Sequence, residues 1–145
     1  MAGGAAATTE TGVLAVGQLV EIPKRADARG DLFFAQAPDH IPFTPQRAFY
    51  IMNVPEGMSR GEHAHKEAEQ FLIALRGTAD VGLDDGSQTE TLTLADPAQA
   101  LYVPAKTWLS LKTMSTDCIL LVLTSTVFDE ADYLRNYEEF KTYVS

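Results

Sequence analysis

His63 and His65 flank Ala64 in the run Arg60-Gly-Glu-His-Ala-His-Lys66, and they are two of only three histidines in the chain. In an extended strand, residues i and i+2 project to the same face, so this spacing sets two imidazoles side by side. Histidine titrates near neutrality, at a pKa of about 6.5 in isolation, which suits the pair to general acid–base chemistry. Arg60 and Lys66 bracket the pair with positive charge, and Glu69 and Gln70 follow. The ordinary alternative is two solvated surface histidines. Against it, two of three histidines share one face, and burying two unpartnered imidazoles would be costly without a use. His40, just before Ile41-Pro42, reads as a loop residue.

A strand must hold this pair, and the surrounding sequence is a series of them. From Val13 to Ser125, short apolar or alternating runs are broken by Gly, Pro and Asp. The expected strands are Leu14–Ile22, Leu32–Gln36, Ala48–Val54, Gly61–His65, Gln70–Leu75 and Thr78–Leu83, followed by Thr89–Leu94, Ala100–Val103, Trp108–Thr113 and Cys118–Thr124. Many short strands at this spacing predict an all-β sandwich or barrel rather than βαβ units. Asp85-Gly86 marks a hairpin, because both residue types tolerate positive φ. The prolines from Pro23 to Pro104 fall between strands, where a missing N–H does least harm. After Ser125 the period changes. Tyr133, Tyr137 and Phe140 recur at helical spacing, which predicts a C-terminal helix with Asp129 as N-cap and Asp132 in its first turn.

Composition narrows the function classes. A chain of 145 residues is about one domain. With 46% hydrophobic and 21% charged residues it has a globular composition. Eleven Lys and Arg stand against twenty Asp and Glu, for a net charge of −9. That balance argues against nucleic-acid partners and against a polybasic membrane anchor, and it requires any anionic ligand to be met by cations gathered locally. Cys118 is the only cysteine, so neither an internal disulfide nor a cysteine-based zinc site is expected. No apolar run approaches the ~18 residues of a membrane span. The start, MAGGAAATTETG, lacks the features of a secretory leader and reads as a frayed, disordered segment over residues 1–12, ahead of a single domain over 13–145. A cytoplasmic location is the expectation.

The wider spacing around the histidines is more specific. Gly57, His63, His65, Glu69 and Gly77 follow the first motif of the cupins, with the last glycine one residue late. In metal cupins the two His and the Glu hold a divalent ion, and a later Pro-x-Gly-x-x-His supplies a third His. Here that stretch is Pro104-Ala-Lys-Thr-Trp-Leu109, so Leu109 stands at the His and Lys106 at the Gly. Two His and a carboxylate would still suffice for iron with open positions, but the ligand count favours acid–base imidazoles and no metal.

Further blocks extend the likeness over nearly the whole folded length. They are Asp27-Ala-Arg-Gly-Asp-Leu32, Arg47-Ala-Phe-Tyr-Ile51, Leu83-Asp-Asp-Gly86, Leu101-Tyr-Val-Pro-Ala-Lys-Thr-Trp108, Leu121-Val-Leu-Thr-Ser125 and the run from Asp129 to Phe140. In order and spacing these resemble the cupin-fold sugar-nucleotide 3,4-ketoisomerases, which act on dTDP-4-keto-6-deoxy-D-glucose. The resemblance implies a double-stranded β-helix, or jelly-roll barrel, carrying a C-terminal helix. It also implies a cofactor-independent enzyme and a homodimer in which an N-terminal strand is exchanged. The chain departs from the family pattern in three places. Phe49 replaces the first tyrosine of Arg-x-Tyr-Tyr, Glu62 replaces a Phe, and Leu109 replaces a His or Arg after the tryptophan.

The same resemblance assigns roles. His63 or His65 is the base that moves a proton between C3 and C4 of the sugar, and the other handles the second proton. Tyr50 and Tyr102 are donors to the developing enediolate if they face inward, and plain strand tyrosines if they do not. Arg29 and Arg60, each followed by glycine, correspond to diphosphate-binding arginines, with Lys66, Arg47 and Gln70 as further substrate contacts. Trp108 either stacks on the nucleotide base or belongs to the core. Three other activities share parts of this residue set: a nucleotide-sugar 3,5-epimerase, a metal-dependent oxygenase, and a sugar-nucleotide-binding cupin without catalysis.

Overall fold

Twelve strands carry about half of residues 14–145, the part of the chain that the computed structural model describes. The segment 1–12 read above as frayed lies outside the described residues. Two five-stranded antiparallel sheets face each other. The first contains β1 (Gln18–Glu21), β9 (Gln99–Val103), β6 (Gln70–Arg76), β11 (Ile119–Thr124) and β4 (Arg47–Met52), in that order. The second contains β12 (Tyr133–Leu134), β5 (Arg60–His65), β10 (Trp108–Met114), β7 (Ala79–Asp84) and β8 (Thr89–Leu94). From β4 to β12 the chain changes sheet at every connection except the β7–β8 hairpin. This is the jelly-roll arrangement expected from the sequence. A separate hairpin, β2 (Lys24–Asp27) with β3 (Gly30–Phe33), stands off the two sheets.

Alternation along each strand decides what fills the barrel. Leu72, Leu101, Leu120 and Val122 from the first sheet meet Val81, Leu83, Leu109 and Leu111 from the second. Burying each such side chain contributes roughly 1.5–3 kcal/mol. On the outside of the first sheet, Phe71, Ile73 and Ala100 are covered by Phe33 of β3 and by Ile41 and Phe43 from the segment after it. On the outside of the second, Ala64, Trp108, Leu134 and Phe140 form a smaller cluster. That cluster seats α1 (Tyr137–Val144), the one α-helix among the described residues. No helix among the described residues is long and apolar enough to cross a membrane.

Two expectations are corrected. The C-terminal helix does not begin at Asp129. That residue caps only a 3₁₀ turn over Glu130–Asp132, accepting from the Ala131 amide. Tyr133 and Leu134 then form β12, and α1 starts after Asn136, whose side chain accepts from Glu139 N. The helical spacing of Tyr133 was overridden by tertiary pairing: as a strand, Tyr133 and Leu134 gain hydrogen bonds to β5 and place their side chains on opposite faces. The other correction concerns the strand expected over Leu32–Gln36, which occupies Gly30–Phe33 and pairs with a strand over Lys24–Asp27. Those two charged, exposed strands carry no apolar alternation from which they could be read.

Candidate active site

β5 carries the histidine pair into the space between the sheets. Ala64 points outward into the cluster under α1, so His63 and His65 share the inner face. Their rings stand edge to face with centroids 5.1 Å apart. Just before them the strand is bulged. Gly61 and Glu62 both have positive φ, and the register against β10 slips between Leu109 and Ser110. Only glycine fits at 61, because a Cβ there would lie 3.0 Å from the Leu109 carbonyl. The bulge turns the Gly61 carbonyl toward His63, which donates to it from Nδ1 at 2.6 Å. A carbonyl only accepts, so Nδ1 holds the proton and Nε2 carries the lone pair.

His65 lies deeper, at 3% exposure, and is held differently. Its Nδ1 donates to Asp132 Oδ2 at 2.7 Å. Asp132 Oδ1 accepts from the Glu67 amide at 2.7 Å, and the Asp132 carbonyl accepts from Lys66 N at 2.8 Å. Asp132 thus fixes the tautomer of His65 and fastens the C-terminal segment to the end of β5. Register then places Tyr133 directly opposite His65. Its ring lies 4.4 Å from the His65 ring and 5.1 Å from that of His63, centroid to centroid. The Arg135 guanidinium sits 4.3 Å from the Tyr133 ring centre and forms a two-pronged hydrogen bond with Glu130.

These groups border a cavity of about 320 Å³, within the usual range for small-molecule sites. His63, Gln70 and Tyr133 line it, Arg60 and Arg135 bring positive charge, and Phe49, Leu72 and Leu109 form apolar wall. Burial pushes the His63 imidazolium down to a pKa of about 4, partly offset by the Gly61 hydrogen bond and reinforced by the His65, Arg135 and Arg47 charges. Burial also lowers His65, against the opposing pull of Asp132. At neutral pH His63 is therefore a neutral imidazole with a free lone pair, the form that accepts a proton.

The structure sorts the residues singled out by sequence. His63, Arg60 and Gln70 meet at the cavity, with His65 behind His63. Arg47 is close enough for its charge to act on both imidazoles, while its Nε donates to Thr124. Tyr50 borders the cavity through an edge strand, but its side chain lies on the outer face at 67% exposure. The inward position of that strand belongs to Phe49, which packs against the barrel core. Tyr102 faces outward beside Phe43 and donates to Glu69 Oε1 at 2.6 Å. Trp108 is buried against Tyr137 and Phe140 under α1. Lys66 lies along α1, its ammonium 5.8 Å from the Tyr143 ring. Arg29 is at the tip of the β2–β3 hairpin, bound to Asp27 and solvated.

Sequence reasoning passed over Tyr133 and Arg135 as site residues and placed Asp132 as a helix-turn acid. The available signal was the run Asp132-Tyr-Leu-Arg135, in which an acid, a phenol and a cation alternate with an apolar residue. A metal-holding set is not assembled. Glu69 is turned to Tyr102 and Leu109 fills the floor of the cavity. Among the described residues no three His, Cys, Asp or Glu side chains converge on a common point. Lys106, at the usual glycine position, has φ 63 and donates its amide to the His65 carbonyl, which ties that loop to the histidine strand.

Comparison with known proteins agrees with this architecture. The chain is 39% identical over 128 residues to the TDP-4-oxo-6-deoxy-alpha-D-glucose-3,4-oxoisomerase of Aneurinibacillus thermoaerophilus, covering 88% of this chain and 92% of that protein. It superposes on a 3,4-ketoisomerase from Helicobacter canadensis with a TM-score of 0.85 at 33% identity, over 88% of this chain and 96% of the other. It superposes equally on a histidine-to-asparagine variant of the 3,4-ketoisomerase QdtA from Thermoanaerobacterium thermosaccharolyticum, solved with TDP-4-keto-6-deoxyglucose. That comparison gives a TM-score of 0.86 at 32% identity, covering 91% and 96%. Residues 16–145 match the family described as FdtA: WxcM-like, C-terminal. With that match spanning the barrel, the histidine strand and the C-terminal arm alike, the chain belongs to the FdtA family of cupin-fold sugar-nucleotide 3,4-ketoisomerases.

Proposed function

We propose that this protein moves the ketone of a dTDP-linked 4-keto-6-deoxyglucose from C4 to C3, with His63 as the base. The observation that carries the reading is a neutral imidazole, its lone pair on Nε2, lining a cavity flanked by Arg60 and Arg135. A 4-ketone acidifies the C3 hydrogen. His63 takes that proton, the C3–H electrons form the C3=C4 bond, and the carbonyl electrons move to O4. O4 gains a proton as O3 loses one, and return of a proton to C4 leaves the ketone at C3 and a hydroxyl at C4. Proton transfers complete the cycle, so the reaction as written needs no metal or redox cofactor. A positioned base of this kind contributes about 10²- to 10⁴-fold. The cations gathered around the cavity supply what an overall charge of −9 does not, a local partner for a diphosphate.

The functional unit in this reading is a homodimer. The outer face of the first sheet leaves Tyr50, Met52 and Leu75 exposed beside half-buried Leu121 and Leu123, an apolar surface suited to a second copy. β1 pairs here with β9 of its own chain. Exchange of the N-terminal strands would make the same ladder between subunits and would carry the β2–β3 hairpin, with Arg29, toward the partner. Sedimentation should give twice the chain mass. A monomer at micromolar concentration overturns this part alone.

The activity is tested by proton NMR of the protein with dTDP-4-keto-6-deoxyglucose in D₂O, with and without chelator. A 3-keto species that forms in both is the expected result. Deuterium at C3 or C5 without ketone migration would mark an epimerase, and loss of turnover in chelator would require a metal. His63→Asn should lower turnover by at least about 10²-fold while nucleotide binding persists.

A further inference from the structure

We propose that Tyr133 is the catalytic phenol of this site, carrying the proton that passes between the two sugar oxygens. The proposal rests on the ketoisomerase reading and adds to it a residue and a step. The isomerisation moves two protons, one from C3 to C4 and one from O3 to O4. A single imidazole serves the carbon pair, and the oxygens need a group that both donates and accepts, which a phenol does.

Of the tyrosines near the barrel, geometry leaves one. Position 49 faces the core but is Phe. Tyr50 points out into solvent. The Tyr102 hydroxyl is committed to Glu69, and burial, together with that carboxylate, holds its pKa well above the usual phenol value. Tyr137 gives its hydroxyl to Asp84, and Tyr143 lies exposed on α1 beside the Lys66 ammonium, away from the cavity. Tyr133 lines the cavity, sits against both imidazoles, and its hydroxyl has no such partner among the described residues. Its backbone is pinned to His65 by the β12–β5 ladder, so ring and histidines move as one unit. The Arg135 guanidinium, 4.3 Å from the ring centre, offsets charge while the proton is away.

The step balances. As His63 removes the C3 proton, O4 takes the phenolic proton from Tyr133 and the sugar becomes the neutral enediol. The resulting phenolate then takes the O3 proton as C4 receives its proton from His63, so the ketone forms at C3 and the hydroxyl at C4. Both residues end as they began.

The test compares wild type, Tyr133→Phe and the double variant Tyr133→Phe/Phe49→Tyr by NMR in D₂O, following C3 deuteration and ketone migration separately. In Tyr133→Phe, migration should fall by about 10²-fold or more, and further than C3 exchange, because the base is intact. Returning a phenol to the same cavity at position 49 should recover part of the migration. Migration at the wild-type rate in Tyr133→Phe overturns the assignment, as does an equal loss of exchange and migration that Phe49→Tyr does not relieve. A wild-type protein that neither exchanges nor isomerises the sugar overturns the ketoisomerase reading itself, and Tyr133 with it.

Discussion

Two short segments are attached to the barrel, each bearing an arginine, and they behave in opposite ways. The C-terminal arm, Asp132 to Arg135, is locked to β5 by a strand ladder, by the Asp132 carboxylate and by Leu134 under α1. The β2–β3 hairpin bonds mainly within itself, through its own ladder and the Asp27–Arg29 pair, and it leaves Leu32 58% exposed. The arm brings three polar groups to the imidazoles within one chain. The hairpin holds Arg29 in solvent, where its ion pair with Asp27 contributes little. A segment completes a site only when apolar anchoring fixes it. The arm has that anchor in buried Leu134 and Phe140, whereas the hairpin has only half-buried Phe33 at its base and none at its tip.

The contrast is breakable at the anchor. Phe140→Ala removes a fully buried ring from the cluster that seats the arm, and should cost about 3–5 kcal/mol in denaturant unfolding. Leu32→Ala on the hairpin should stay within about 0.5 kcal/mol in the monomer. If both changes cost the same, the distinction between the segments fails.

A smaller effect is expected at the carboxylates. Asp132→Asn replaces a charged acceptor of two short hydrogen bonds, and should cost about 1.5–3 kcal/mol and lower kcat with KM little changed. Asp27→Asn in the hairpin should leave thermal stability unchanged, since that pair is fully solvated. Chemical denaturation and steady-state kinetics on the two variants separate the cases.

A pH dependence is expected on the arm's side of the molecule. The folded His63 pKa, about 4, lies below the unfolded value near 6.5, so the unfolded chain binds the extra proton between them. This contribution to stability is complete above pH 6.5 and is lost as pH falls through about 4. The acid limb of kcat/KM should likewise lie near pH 4, and a limb near 6.5 would show that His63 is not held as described. His63→Asn should abolish the difference, whereas Arg29→Ala should leave it in place.

Most of the barrel was legible because burial is one-sided. Strands such as Thr89–Leu94 and Gln70–Arg76 fall where their apolar residues recur, within a residue or two of expectation. The histidine pair was legible for the same reason, since period-2 geometry alone puts i and i+2 together. The hairpin was not, because charged residues such as Lys24, Arg25, Asp27 and Asp31 make a strand pair with no buried face. Nor was the arm. Tyr133 and Leu134 fit a helix as well as a strand, and what tipped the balance was an edge of β5 that only the folded barrel presents.

By itself the sequence determined a β-rich barrel, a shared face for His63 and His65, and a likeness strong enough to name a family. Those follow from short-range periodicity and from motif spacing, which the linear chain carries whole. Tertiary structure alone decided that Phe49 rather than Tyr50 faces the interior, that Tyr102 spends its hydroxyl on Glu69, and that Asp132 and Tyr133 meet the imidazoles from 67 and 68 positions away. Each of those outcomes depends on which face of one strand opposes which edge of another, and that register exists only once the two sheets have closed on their core.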